Sequence, residues 1–307
     1  MRVFVTGATG FIGSRVVTEL IGAGHSVLGL TRSDAGAEAL AAAGAEAHRG
    51  SLEDLESLRS GATGSDGVIH LAFDHSAFKV GLSKFAEVCE QDKRAIETLG
   101  SVLAGSNRPL VVTSGTGMGT PAPGQLAIEG HLDTAHANPR TGSEVVCASL
   151  VERGVNISVV RLPQVHDTVK QGLITRLILI ARENGASAYI GEGRSRWPAA
   201  HVVDVAHLYR LAVEKAQPGS RYHAVDEEGI TMRQIAEVIG KGLGLPVVSI
   251  APEQAPAHFG WMAMFAAWDM PASSTKTREA LGWNPTGPGL IADLEAMNYS
   301  LQPVAVA

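Results

Sequence analysis

Two cysteines, Cys89 and Cys147, in 307 residues cannot build a disulfide framework and offer no zinc-finger spacing; they suit a reducing, cytoplasmic setting. No apolar run approaches the ~20 residues of a membrane helix. No signal-peptide pattern is expected either, because the first strand begins at once. Basic residues number 25 against 31 acidic ones, for a formal charge of −6, and no basic run of the kind that holds nucleic acid is present. His131, Asp133 and His136 lie close in sequence without the further convergent ligands a metal site needs. What remains is a globular balance, 45% hydrophobic and 18% charged, in a chain long enough for a large α/β core.

The most informative segment is at the start. Arg2-Val3-Phe4-Val5 reads as a short apolar strand, followed by Thr6-Gly7-Ala8-Thr9-Gly10-Phe11-Ile12-Gly13. A helical pattern runs on to Gly22 and Gly24, and His25–Leu30 is a second strand. Gly7 permits the tight turn, Gly10 lets the backbone approach a pyrophosphate, and Gly13 lets the helix pack on the sheet. The helix N-terminus then offers unpaired N–H groups to phosphate oxygens. Strand, loop, helix and second strand in that order predict a dinucleotide-binding βαβ unit.

The end of the second strand selects the dinucleotide. A carboxylate there would bind a ribose 2′-hydroxyl, whereas this chain reads Leu30-Thr31-Arg32-Ser33. Arg32 can pair with a 2′-phosphate and Ser33 can add a hydrogen bond, which favours NADP over NAD; Asp34, past the strand end, is the counter-argument.

Further strands are expected at 45–50, 67–72, 109–115 and 156–163, with helices at 35–43, 82–104 and 141–154 between them. Ser51 is expected to cap a helix after the third strand, with Asp54 three residues on. Six parallel strands with intervening helices predict a doubly wound Rossmann sheet. After Pro163 the alternation breaks into a mixed α/β lobe. We expect a nucleotide-binding part at 1–165 and 201–222 and a smaller substrate-facing lobe at 166–200 and 223–307.

Thr-Gly-x-x-Gly-x-x-Gly at the extreme N-terminus resembles the extended short-chain dehydrogenase/reductases, which include sugar-nucleotide epimerases and dehydratases. Arg161-Leu162-Pro163-Gln164-Val165-His166 is similar to the stretch that passes the nicotinamide in that superfamily. Trp197–Asp204 resembles its hydrophobic-Val-x-Asp turn, and Leu281-Gly282-Trp283-Asn284-Pro285 its Leu-Gly-Trp-x-Pro. The resemblance implies cofactor contacts from Gly7, Thr9, Gly10, Phe11, Ile12 and Gly13, from Arg32 and Ser33, and from Ser51 and Leu52 beside the adenine. It implies others from Leu71, Ala72 and Phe73 (with Asp74 and His75 following), and from Thr113, Arg140, Pro163 and Val165. It also implies a homodimer through the helices near 82–104 and 141–154.

The catalytic pattern departs from the superfamily. A Tyr-x-x-x-Lys pair sets both side chains on one helix face, where lysine lowers the phenol pKa. Four residues after Tyr189, Tyr209, Tyr222 and Tyr299 stand Gly193, Val213, Asp226 and Pro303. At the expected place the chain has His136-Ala137-Asn138-Pro139-Arg140 instead. His-x-x-x-Arg resembles an atypical subgroup. His75–Lys79 and His166–Lys170 share the spacing, but only His136 lies between the fifth and sixth strands. A histidine with an ordinary pKa of ~6.5 can serve as a base at neutral pH without a lysine. Arg140, always charged, would disfavour imidazolium and could also hold a ribose or polarise a carbonyl. Ser114 and Thr116 are the candidate hydroxyls at the carboxyl edge of the sheet. The same residues would also suit an unreactive helix start and turn.

His70, in an apolar strand, reads as a packed core residue. Trp197, Trp261, Phe265 and Trp268 would belong to the core or line an apolar substrate pocket. The favoured reading is an NADP-dependent oxidoreductase acting on a carbonyl or alcohol of a small apolar substrate. A non-catalytic NADP-binding redox sensor and a nucleotide-sugar epimerase or dehydratase compete with it. Arg194 and Arg196 are the basic pair available for the phosphates of the last.

Overall fold

The computed structural model describes residues 1–74, 82–135 and 138–301. His75, Lys79 and His136 lie outside the described residues. Strand β1 (Arg2–Thr6) runs into the glycine loop and helix α1 (Phe11–Gly22). There follow β2 (Ser26–Thr31), α2 (Asp34–Ala42), β3 (Glu46–Arg49), α3 (Leu55–Thr63), β4 (Gly67–His70), α4 (Leu82–Leu103), β5 (Leu110–Gly115), α5 (Thr141–Glu152) and β6 (Ile157–Leu162). The chain continues with β7 (Gln164–His166), α6 (Leu173–Asn184), β8 (Ser187–Ile190), β9 (Arg196–His201), α7 (Val202–Lys215) and β10 (Arg221–His223).

Seven strands form the main sheet in the order β10-β6-β5-β4-β1-β2-β3, all parallel. The order reverses between β1 and β4, and the carboxyl ends of those two strands open the crevice where such sheets bind ligands. β1 shows why its sequence is apolar without a break. Val3 and Val5 pack into one core with Val16, Leu20 and Tyr209. Phe4, between them, packs into the other with Leu58, Ile96 and Leu150. A strand covered on both faces has no polar side to display.

The sequence led us to six parallel strands; the structure adds β10 as a seventh, on the edge beside β6. Arg221-Tyr222-His223 lacks the aliphatic run of a buried parallel strand because its polar side chains engage buried partners from α5 and β6. A second correction concerns Ser51. Helix α3 is capped by Asp54, which accepts from the Ser57 N–H. Ser51 caps only the turn before it, accepting from the N–H groups of Glu53 and Asp54.

Past β6, a three-stranded sheet joins β7, β9 and β11 (Glu227–Thr231), and a two-stranded one joins β8 to β12 (Val247–Ile250). Helices α6 and α8 (Met232–Leu243) pack over them around Ile178, Trp197, Ile235, Ile239 and Phe259. The segment Leu281–Pro285 closes back on the main body. Trp283, buried, donates its indole N–H to the Asp204 carbonyl, and the Asp204 carboxylate accepts from the N–H groups of Thr286 and Gly287. The two C-terminal likenesses noted in the sequence are thus halves of one contact. Among the described residues no helix is long and apolar enough to cross a membrane, and no cluster of three or more His, Cys, Asp or Glu could hold a metal.

Candidate active site

The glycine loop is built as a cradle. Gly7 has φ +68°, a conformation side chains rarely adopt. A Cβ on Gly13 would stand 1.9 Å from the Gly7 carbonyl oxygen, so only glycine lets α1 start so close to the loop. Gly10 is the N-cap residue, with no side chain to satisfy the first turn of α1 and no acid within that turn. The N–H groups there are left for an anion. Thr9 is exposed, and Phe11 and Ile12 are half-buried at the mouth. These residues fit a pyrophosphate.

At the end of β2, Arg32 is exposed. Ser33 caps α2, accepting from Gly36 N–H at 3.1 Å. Asp34, the sequence-level objection to NADP, is engaged by Arg49 at 2.8 Å. Leu52 is half-buried beneath the loop after β3.

Deeper in the crevice lies a chain of polar contacts. Thr6 Oγ1 accepts from the N–H groups of Leu71 and Ala72, each at 3.2 Å. With both lone pairs used, its proton goes to Nδ1 of His70, 2.8 Å away. That leaves Nε2–H of His70 to donate to Asp92 Oδ1 at 3.2 Å. The other oxygen, Oδ2, accepts from Ser143 Oγ at 2.6 Å and pairs with Nη1 of Arg140 at 3.1 Å. Arg140 also donates from Nη2 to the Thr113 carbonyl at 2.9 Å, and its guanidinium lies 3.8 Å from the Phe73 ring centroid. Thr113 Oγ1 donates to the His70 carbonyl and meets the Tyr209 hydroxyl. Burial drives the Asp92 carboxyl upward, but the Arg140 charge and the bonds from His70 and Ser143 outweigh it and hold it below the ordinary carboxylate range.

The structure therefore brings Leu71, Ala72, Phe73, Thr113 and Arg140 together around residues the sequence reading passed over. His70 is buried as expected, but as a relay between the phosphate loop and Asp92 rather than as plain packing. Asp92 and Ser143 were missed. Asp92 carried a signal: it falls at helical spacing between Cys89 and Ile96, on the face of α4 that the apolar residues mark for burial.

Four residues beyond Arg140, Glu144 forms a second buried ion pair. Arg161 donates to it from Nε and Nη2 at 2.9 and 2.8 Å, and to the carbonyls of Ile128 and His131. Arg221 adds a third donor to Glu144. Burial raises the Glu144 carboxyl, and Arg161 more than reverses this. Ser114, buried at the end of β5, leans on this carboxylate without a hydrogen bond of regular geometry. Thr116 begins the 3-10 turn Thr116–Gly119 just beyond the strand. Pro163 separates β6 from β7, and Val165 is buried, paired with Ala200.

Of the aromatic candidates, Trp197 is core, donating to the Phe265 carbonyl. Trp268 approaches Gly117 of the turn after β5, at 3.9 Å from where a Cβ would stand. Trp261 and Phe265 stack edge to face at 6.0 Å on the lobe. Arg194 pairs with Glu192, and Arg196 is clasped by Asp269 through two bonds.

Comparison with known proteins agrees with this geometry. Residues 3–225 match the NAD dependent epimerase/dehydratase family. An uncharacterized protein of Schizosaccharomyces pombe is 45% identical over 306 residues, covering 97% of this chain and 100% of its own. A 4-hydroxy-2-methyl-3-oxo-4-farnesyl-3,4-dihydroquinoline-1-oxide ketoreductase of Stigmatella aurantiaca is 25% identical, covering 89% of this chain and 84% of its own. The dTDP-glucose 4,6-dehydratase DesIV of Streptomyces venezuelae, solved with NAD and TYD, shares the fold with a TM-score of 0.76. It is 18% identical and covers 97% of this chain and 96% of its own. The doubly wound sheet, the glycine cradle at its switch point and the match over most of the chain lead to one conclusion: this protein is a nucleotide-binding member of the NAD dependent epimerase/dehydratase family.

Proposed function

We propose that the protein is an NADP-dependent oxidoreductase that moves hydride between the nicotinamide and a carbonyl or alcohol of a small, apolar substrate. The observation that carries the reading is Arg140, held at the carboxyl edge of the sheet and joined through Asp92 and His70 to the phosphate loop. This is where a nicotinamide ribose would lie if the pyrophosphate sits on α1. Arg140 then binds that ribose or polarises the carbonyl. His136, four residues earlier, exchanges the proton: as neutral imidazole it takes one from an alcohol while hydride leaves for the cofactor. Ser114 and Thr116 are the hydroxyls assigned to the substrate oxygen, Thr116 being the one on the turn. The bound cofactor supplies the hydride chemistry; the chain orients it and handles the proton.

NADP is favoured over NAD by Arg32, with Asp34 drawn to Arg49. An apolar substrate is favoured by Trp268 over the Gly117 turn, and by the clasp of Asp269 on Arg196. The ketoreductase relative points the same way. We assign 1–165 and 201–222 to the cofactor and 166–200 and 223–307 to the substrate. A cytoplasmic location and a homodimer through α4 and α5 complete the reading.

The experiment is NADPH oxidation over a panel of aldehydes and ketones, wild type beside His136→Ala. Turnover that collapses in the variant with NADPH binding intact is the expected result. NADPH binding without turnover on any substrate would favour the sensor, and turnover indifferent to His136→Ala would remove that residue from the mechanism.

A further inference from the structure

We propose that Asp92 is the positioning residue of the nucleotide site: its buried carboxylate fixes the guanidinium of Arg140 against the ribose on the nicotinamide side of the cofactor. The inference rests on reading Arg140 as a cofactor contact, and it assigns a cause to that contact.

A carboxylate on the buried face of α4 is costly unless it is paired and fully hydrogen-bonded. Asp92 is 1% exposed, and its oxygens are spent on three groups: His70, Ser143 and Arg140. His70 and Ser143 hold Asp92; Asp92 in turn holds Arg140. The direction of the chain is set by counting protons. Thr6 has no lone pair left for His70, so each group from Thr6 through His70 donates toward Asp92.

Arg140 needs such an anchor. An arginine side chain carries much rotamer entropy, and a ligand that had to order it would bind more weakly. Here the plane is fixed by the Phe73 ring, one edge by the Thr113 carbonyl and the charge by Asp92. Its Nη1, itself buried, meets Asp92 as an ion pair without regular hydrogen-bond alignment, so what the guanidinium can offer a ligand is the 13% of the side chain that stays exposed. Removing the charge at 92 would leave the carbonyl and the ring face as the remaining anchors seen here. The same chain begins at Thr6, directly before Gly7, so the anchor of the ribose contact is built on the strand that forms the pyrophosphate cradle.

The test is calorimetric titration of NADPH into the full-length protein as wild type, Asp92→Asn, Arg140→Gln and the double variant. Asparagine keeps the size of the side chain and, with its oxygen toward His70, the bond from that ring; its amide NH2 then faces Ser143, whose hydroxyl must accept instead of donate. Each single change is expected to weaken NADPH about tenfold, the size of one charge-assisted hydrogen bond. The double variant is expected to bind no more weakly than Arg140→Gln alone, because Asp92 acts through Arg140. Losses that add, or Asp92→Asn binding like wild type, would overturn the inference while leaving Arg140 as a contact. Arg140→Gln binding like wild type would overturn the reading of Arg140 and the inference with it. If Asp92→Asn does not fold, Ser143→Ala loosens the same carboxylate without removing a charge; its effect must vanish in the Arg140→Gln background, and persistence there counts against the proposal.

Discussion

The start of helix α5 joins two ion pairs one turn apart, through Arg140 at its N-cap and Glu144 in its first turn, and they differ in what they leave unfinished. Glu144 receives Arg161 through two bonds and Arg221 through a third, while the remaining Arg161 donors go to backbone carbonyls and His223. Both side chains are 0% exposed. That pair is closed, and it staples α5 to β6 and β10. Arg140 and Asp92 form the open pair: Arg140 keeps 13% of its side chain exposed. A closed pair contributes to holding the fold. An open pair, kept rigid by its neighbours, has something left to offer a ligand.

Breaking the closed pair should produce the largest effect. Glu144→Ala leaves Arg161 buried without its carboxylate, and we expect a loss of about 3–5 kcal/mol in unfolding free energy, measured by denaturant titration. Breaking the open pair should cost less. Arg140→Gln leaves Asp92 with its bonds from Ser143 and His70, so a loss of about 1–2 kcal/mol is expected from the same titration. Equal losses would erase the distinction.

Arg32 offers a control, an exposed cation that belongs to neither pair. Arg32→Ala should weaken NADPH about tenfold through the lost phosphate contact and leave NADH affinity unchanged by calorimetry. A parallel fall for both nucleotides would remove the 2′-phosphate from the account.

A pH dependence is also carried by the closed cluster. His223 donates Nδ1–H to the Ser273 carbonyl and accepts from Arg161 at Nε2. Burial and then the Arg161 charge lower its pKa from 6.5 to about 4. A histidine depressed in the fold stays unprotonated while the unfolded chain takes up its proton. Its contribution is therefore complete above pH 6.5 and is lost progressively as pH falls toward about 4. The melting temperature should fall over that window, and His223→Gln, which can still accept from Arg161, should flatten this part of the curve.

The cofactor half of the molecule was legible because its chemistry is local. Gly7, Gly10 and Gly13 lie within seven residues, and the strand and helix around them follow from apolar periodicity. The polar contacts deeper in the crevice were legible only in part. Arg140 could be picked out by its spacing from His136, but its partners come from β1, β4 and α4, and nothing in a linear sequence joins Thr6 to His70 and Asp92. His70 illustrates the difficulty: in an apolar strand a histidine looks like packing, and only the hydroxyl and carboxylate on its two sides show otherwise. For β10 a short strand over 222–225 was legible but its place in the main sheet was not, since Arg221 and His223 are polar where a parallel strand is usually apolar, and the closed cluster is what makes their burial acceptable.

The measurement that bears most directly on this account is the NADPH dissociation constant of Arg140→Gln set beside that of Glu144→Gln, each with its unfolding curve. The account predicts a crossed result: Arg140→Gln binds about tenfold more weakly and keeps most of its stability, while Glu144→Gln binds like wild type when folded and is the less stable of the two. Wild-type affinity in Arg140→Gln would contradict it.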